Sequence, residues 1–117
     1  MTFITTVSTH VLDTSLGAPA ANIAVTLARV EQHDAVTVLA SGVTNADGRV
    51  AALVPDAGPL RGGHYRLSFD VARYFAASER SSFYERISID FVVADDPQHY
   101  HVPLLLSPFG YSTYRGS

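Results

Sequence analysis

Apolar and polar residues alternate along most of this chain, the two-residue period of strands that bury one face. From Phe3 to Leu12, a stretch rich in Thr, Val and Ile sets Val7, Thr9 and Val11 on one face and Ser8, His10 and Leu12 on the other. Asn22 to Val30 repeats the pattern, with Ile23, Val25 and Leu27 against Ala24, Thr26 and Ala28. Further strands are predicted over Val36 to Val43, Arg49 to Leu53 and His64 to Asp70, the last turning Tyr65, Leu67 and Phe69 inward and His64, Arg66 and Ser68 outward. Tyr84 to Val93 aligns Ile87, Ile89, Phe91 and Val93 opposite Arg86, Ser88 and Asp90. Breakers separate these runs: Asp13 to Pro19, Gln32-His33-Asp34, Thr44 to Gly48, Pro55 to Gly63 and Asp95-Asp96-Pro97. Only Val71 to Ser78, apolar clusters among alanines, predicts a helix, of about two turns.

The last predicted hairpin carries the most chemistry. Tyr100, Val102, Leu104 and Leu106 form a core face, while His99, His101, Pro103 and Leu105 point the other way. Ser107-Pro108-Phe109-Gly110 reads as a tight reversal, after which a strand from Tyr111 returns Tyr114 to Ser117 alongside, with Ser112, Tyr114 and Gly116 on one face. About eight short strands with one short helix predict an all-β sandwich of two sheets, a single domain over residues 1–117.

Composition narrows the function classes. Eleven acidic residues outnumber eight Lys and Arg, giving a net charge of -3, so a basic stripe for nucleic acid or an anionic membrane is not expected. With no cysteine there is neither a disulfide framework nor a thiolate nucleophile. The N-terminal residues lack a basic start and a long apolar run, so no signal peptide or membrane helix is predicted and the expected location is cytoplasmic.

Five histidines are candidate bases near neutral pH: His10, His33, His64, His99 and His101. His33 and His64 have no supporting context. His99 and His101 project in parallel and are spaced to share a metal, but no nearby carboxylate or cysteine completes a ligand set, so no metal or other cofactor is expected. No Gly-x-Ser-x-Gly elbow is present, and neither Ser112 nor Ser117 has a sequence-level activator. Arg49 and Arg115 read, from spacing alone, as exposed arginines. His10 and His101 both lie opposite the larger apolar set, so adjacent strands of one sheet would present both imidazoles to one pocket.

The terminal Tyr114-Arg115-Gly116-Ser117, the His-x-His-Val-Pro run, Ser8 to Asp13 with Gly17 to Ala20, and Thr44-Asn45-Ala46-Asp47-Gly48-Arg49 together resemble the transthyretin-related 5-hydroxyisourate hydrolases. The resemblance covers nearly the whole chain. It implies a transthyretin-like sandwich, assembled as a homotetramer with sites at the dimer–dimer interface, and a small-molecule substrate. The implied reaction is metal-free hydrolysis of 5-hydroxyisourate, a cyclic amide of urate oxidation, to 2-oxo-4-hydroxy-4-carboxy-5-ureidoimidazoline. The family's catalytic positions fall on His10, Arg49, His101 and Ser117, and its substrate-binding positions on His10, Arg49, Ser112, Tyr114, Arg115 and Gly116. The histidines would position water and move its proton, with the base unassigned between them, and Arg49 would hold the developing oxyanion. The alternative is a transthyretin-like carrier of small ligands, although carriers lack the histidine pair and the Tyr-Arg-Gly-Ser end. The chain departs from the family pattern at Phe83-Tyr84-Glu85-Arg86, where a proline is expected before the glutamate.

Overall fold

A computed structural model describes residues 4–53 and 58–117. In chain order its elements are β1 (Thr6–Asp13), β2 (Ala18–Pro19), β3 (Ala24–Val30), β4 (Val36–Val43), β5 (Arg49–Val50), β6 (Gly63–Phe69), α1 (Val71–Ala77), β7 (Ile87–Val93), β8 (His99–Ser107) and β9 (Gly110–Thr113). One sheet runs β2-β1-β8-β9 with β5 also on β1; the other runs β4-β3-β6-β7. The expected two-sheet sandwich is therefore the observed one.

Alternation accounts for how the sheets close on each other. Val7, Val11, Val25, Leu27, Tyr65, Leu67, Phe69, Leu104 and Leu106 are all fully buried between them. Each such side chain contributes roughly 2 kcal/mol by leaving water. The predicted core face of the last long strand holds, with Tyr100 and Val102 nearly buried as well. At the centre of the first sheet β1 and β8 pair in parallel, Thr6 opposite His99 through Asp13 opposite Leu106. In parallel neighbours, directly paired residues share a face, so this register brings the polar residues of β1 beside the histidines of β8.

Four details differ from the sequence expectation. β2 forms within the predicted Asp13–Pro19 loop, pairing with Leu12 and Asp13. β5 ends at Val50 rather than Leu53, although the Leu53 amide still donates to the Val7 carbonyl at 2.8 Å. The turn at Gln32–Asp34 is a single 3-10 turn in which His33 and Asp34 take left-handed φ of 61° and 60°. β7 starts at Ile87, not Tyr84. Phe83 and Tyr84 are drawn instead toward the β8–β9 turn, where the Phe83 amide donates to the Pro108 carbonyl at 2.8 Å and the Tyr84 ring meets Tyr111 edge-on. This is the stretch where the sequence resemblance leads to the expectation of a proline before Glu85. Of the predicted Pro55–Gly63 loop, residues 55–57 lie outside the described residues, as does Phe3 of the first predicted strand.

The helix is tied to the first sheet through Asp13, which is fully buried. Its carboxylate accepts hydrogen bonds from Tyr74 Oη at 2.7 Å, Arg80 Nη2 at 2.8 Å, the Ser15 hydroxyl and the Ser15 and Leu16 amides. Burial alone would push this carboxyl up. Hydrogen bonds from Arg80, Ser15 and Tyr74, with the Arg80 charge, outweigh it and hold Asp13 at about 2.

Candidate active site

The turn before β5 determines where Arg49 stands. Asn45 folds it: its side-chain oxygen accepts from the Asp47 and Arg49 amides at 2.9 and 3.0 Å, and its backbone exchanges hydrogen bonds with Gly48 and Arg49. Gly48 has φ of 74°, and a Cβ there would drive into the Val11 carbonyl oxygen, which only glycine avoids. The Gly48 carbonyl in turn accepts from the Val11 amide at 2.8 Å, and β5 continues with Arg49 opposite His10. Arg49 and His10 thus share the outer face of the sheet. Among the described residues no salt bridge engages Arg49.

On the other side of β1, Ser8 pairs with His101 and His10 with Pro103. The predicted convergence of His10, Arg49 and His101 on one face follows from these registers. Pro103 is buried rather than exposed, contrary to the expectation for that face. Having no N–H, it coincides with a gap in the β8–β9 ladder, which runs only from Ser107 opposite Gly110 to Leu104 opposite Thr113. The tail then rejoins in the same register, the Gly116 amide donating to the His101 carbonyl at 2.8 Å.

Ser8, Arg49, His99, His101, Tyr114, Gly116 and Ser117 line an open depression of about 380 Å3 on this face. Gly116 packs directly against His101: a Cβ added there would lie 2.5 Å from His101 Cδ2. His101 is half-buried, and its pKa is lowered by that burial and by the positive charges of Arg49, His99 and His10 around it. It is therefore held neutral near pH 7, the form a base requires. Ser112 sits on the same face, opposite Leu105.

Arg115 goes elsewhere. Its guanidinium lies over the Tyr100 ring, 4.7 Å from the centroid, and donates to Gln98 Oε1 at 2.8 Å, so it borders a separate hollow beside Val102 and Phe91. Within this chain it anchors the tail rather than facing the depression. His33 and His64 belong to the β4-β3-β6-β7 side and take no part. A larger hollow of about 450 Å3 on the outer face of that sheet holds Arg66 and Arg86 but no histidine in its described lining. Sequence reasoning passed over Ser8, whose hydroxyl lies 2.8 Å from both His99 Nε2 and His101 Nδ1. The signal was available: Ser8 stands two residues before His10, on the same strand face.

The sequence model of the HIUase/Transthyretin family matches residues 7–116. A 5-hydroxyisourate hydrolase of Deinococcus radiodurans is 46% identical over 113 residues, which covers 94% of each chain. Among solved structures, the 5-hydroxyisourate hydrolase of Klebsiella pneumoniae superposes with a TM-score of 0.81 at 44% identity, covering 96% of this chain and 99% of that one. The transthyretin of Sparus aurata superposes with a TM-score of 0.85 at 30% identity, over 94% and 95% of the two chains. Backbone shape therefore does not separate 5-hydroxyisourate hydrolase from transthyretin.

Proposed function

Because the chain belongs to the HIUase/transthyretin family, we propose that the depression around His101 is where it hydrolyses 5-hydroxyisourate, opening the cyclic amide in urate degradation. The observation that carries this reading is the convergence of Arg49, His10 and a neutral, half-buried His101 on one sheet face. A carrier site has no use for a base beside a fixed cation.

In this reading His101 takes a proton from the attacking water as its oxygen bonds to the carbonyl carbon. Arg49 meets the negative charge that appears on the carbonyl oxygen. His10, beside Arg49, orients the water and the ring. Ser117 bonds the substrate through its hydroxyl or its carboxylate, and Tyr114 and Gly116 form the wall. Arg49 supplies the positive charge that a metal would otherwise supply, so dialysis against chelator is expected to leave the rate unchanged.

The depression is open on one side, and the same reading closes it with a second copy of the chain in a homotetramer, facing sheet to facing sheet. A cytoplasmic location belongs to this reading too, since a fold without cysteine needs no oxidising compartment; among the described residues no helix is long and apolar enough to cross a membrane. The test is the decay of freshly generated 5-hydroxyisourate with and without purified protein. Acceleration proportional to protein concentration supports the hydrolase. A rate equal to buffer returns the carrier reading.

A further inference from the structure

Four side chains on the outer face of the first sheet form an unbroken hydrogen-bonded row: Thr6 Oγ1 is 2.5 Å from His99 Nδ1, and Ser8 Oγ is 2.8 Å from both His99 Nε2 and His101 Nδ1. We propose that Ser8 is a positioning residue that fixes His101 as its Nδ1-protonated tautomer and joins it to the exposed ring of His99, giving the proton taken from water a route out of the depression. The proposal rests on the hydrolase reading above for its chemistry, and on this row alone for its geometry.

A serine hydroxyl has one proton to donate, so with an imidazole nitrogen on either side it donates to one and accepts from the other. Two arrangements are self-consistent. In the first, His101 Nδ1–H donates to Ser8, Ser8 donates to His99 Nε2, and His99 Nδ1–H donates to Thr6; His101 Nε2 is left bare. In the second, every donor along the row reverses and His101 Nε2 carries the proton. The fixed charge beside His101 chooses between them. Arg49, a permanent cation on the same face and one cause of the lowered His101 pKa, favours a lone pair over an N–H at the free nitrogen. The resting row is therefore the first, with a base facing the substrate.

The first arrangement is also the start of a relay, which ends with one more proton on the row and both ring nitrogens of His99 protonated. As the water oxygen bonds to the carbonyl carbon, its proton passes to His101 Nε2, the Nδ1 proton passes to Ser8, and the Ser8 proton passes to His99 Nε2. The positive charge then rests on His99, which is exposed and hydrated, rather than on His101 beside Arg49. His101 is left neutral with a proton on Nε2, ready to donate. When the C–N bond breaks, the departing nitrogen takes that proton and the row runs back, His99 returning its proton through Ser8. One water has been added across the amide and every residue is restored.

The experiment combines imidazole nitrogen–proton correlation spectra of the 15N-labelled protein above pH 7 with steady-state kinetics, for wild type, Ser8→Ala, Ser8→Thr and His99→Gln, with melting curves for each. His101 signals are assigned by their loss in His101→Asn. Wild type should show His101 protonated at Nδ1. Ser8→Ala should move the proton toward Nε2 and lower kcat on the order of tenfold with KM nearly unchanged, and Ser8→Thr should restore both. His99→Gln, which keeps an acceptor for Ser8 but ends the relay, should lower kcat while the His101 tautomer stays as in wild type; it also serves if Ser8→Ala does not fold. A wild-type His101 protonated at Nε2, or a Ser8→Ala protein with unchanged tautomer and kcat, overturns the proposal. Absence of hydrolysis in wild type would sink the functional reading instead, while the spectra would still decide the row.

Discussion

At the scale of single residues, the environment of His101 makes the sharpest prediction. Its pKa lies below the usual 6.5, through burial first and then the charges of Arg49, His99 and His10. A lowered pKa means that the neutral base persists as pH falls below 6.5, so the rate should rise with pH through an apparent pKa under that value and level off above it. Arg49→Gln removes one of the depressing charges as well as the oxyanion partner. It should lower kcat by about a hundredfold or more and move the acid limb upward toward 6.5, which a pH–rate series on the variant would show. A limb that stays in place would mean that Arg49 does not face His101. Parity along the strands made much of this readable in sequence: it places Ser112, Tyr114 and Gly116 on one face and so puts Arg115 on the other, where the structure has it. Motif resemblance alone groups Arg115 with its neighbours and loses that distinction. The face of Ser8 was readable from its place two residues before His10, but its link to two histidines was not, because it depends on pairings between residues 91 and 93 apart.

At the scale of elements, long alternating strands were legible and two-residue strands were not. β3, β6 and β8 follow their hydrophobic period closely, whereas β4 leaves Val36, Val38 and Val43 exposed, and β2 and β5 are defined by what β1 offers at its edge rather than by their own residues. Two elements can be tested. Gly116 closes the tail onto His101, so Gly116→Ala, whose methyl would collide with the imidazole edge, should displace His101 and cut turnover strongly while the melting temperature barely changes. Wild-type turnover in that variant would show that the tail can move away from the ring without consequence. Asp13 ties α1 to the first sheet, and its removal strands Tyr74, Ser15 and Arg80 without their shared acceptor. Asp13→Ala should cost about 3 kcal/mol, on the order of 10 °C in melting temperature. Because the Asp13 pKa falls from 3.8 to about 2 on folding, its contribution is present above 3.8 and is lost as pH falls through about 2. Acid melting of wild type and variant should therefore converge in that window.

For the whole molecule, strand pattern gives no view of what lies across from the depression, which only the family resemblance implies to be a second copy. Leu12 and Leu105 are half-buried beside it, and β7 and β9 end their sheets with exposed Val92 and Tyr111. Open edges and a one-sided site fit a chain that completes itself by assembly. Light scattering at working concentration should give the mass of four chains; a monomer with full activity would confine the site to one sheet face. The measurement closest to the central claim is the loss of freshly generated 5-hydroxyisourate followed in parallel for wild type, His101→Asn and buffer, with melting curves confirming that both proteins are folded. Wild type should accelerate the decay, and His101→Asn should fall by on the order of a hundredfold or more. Equal rates in wild type and the folded variant would contradict the assignment of His101 as the base.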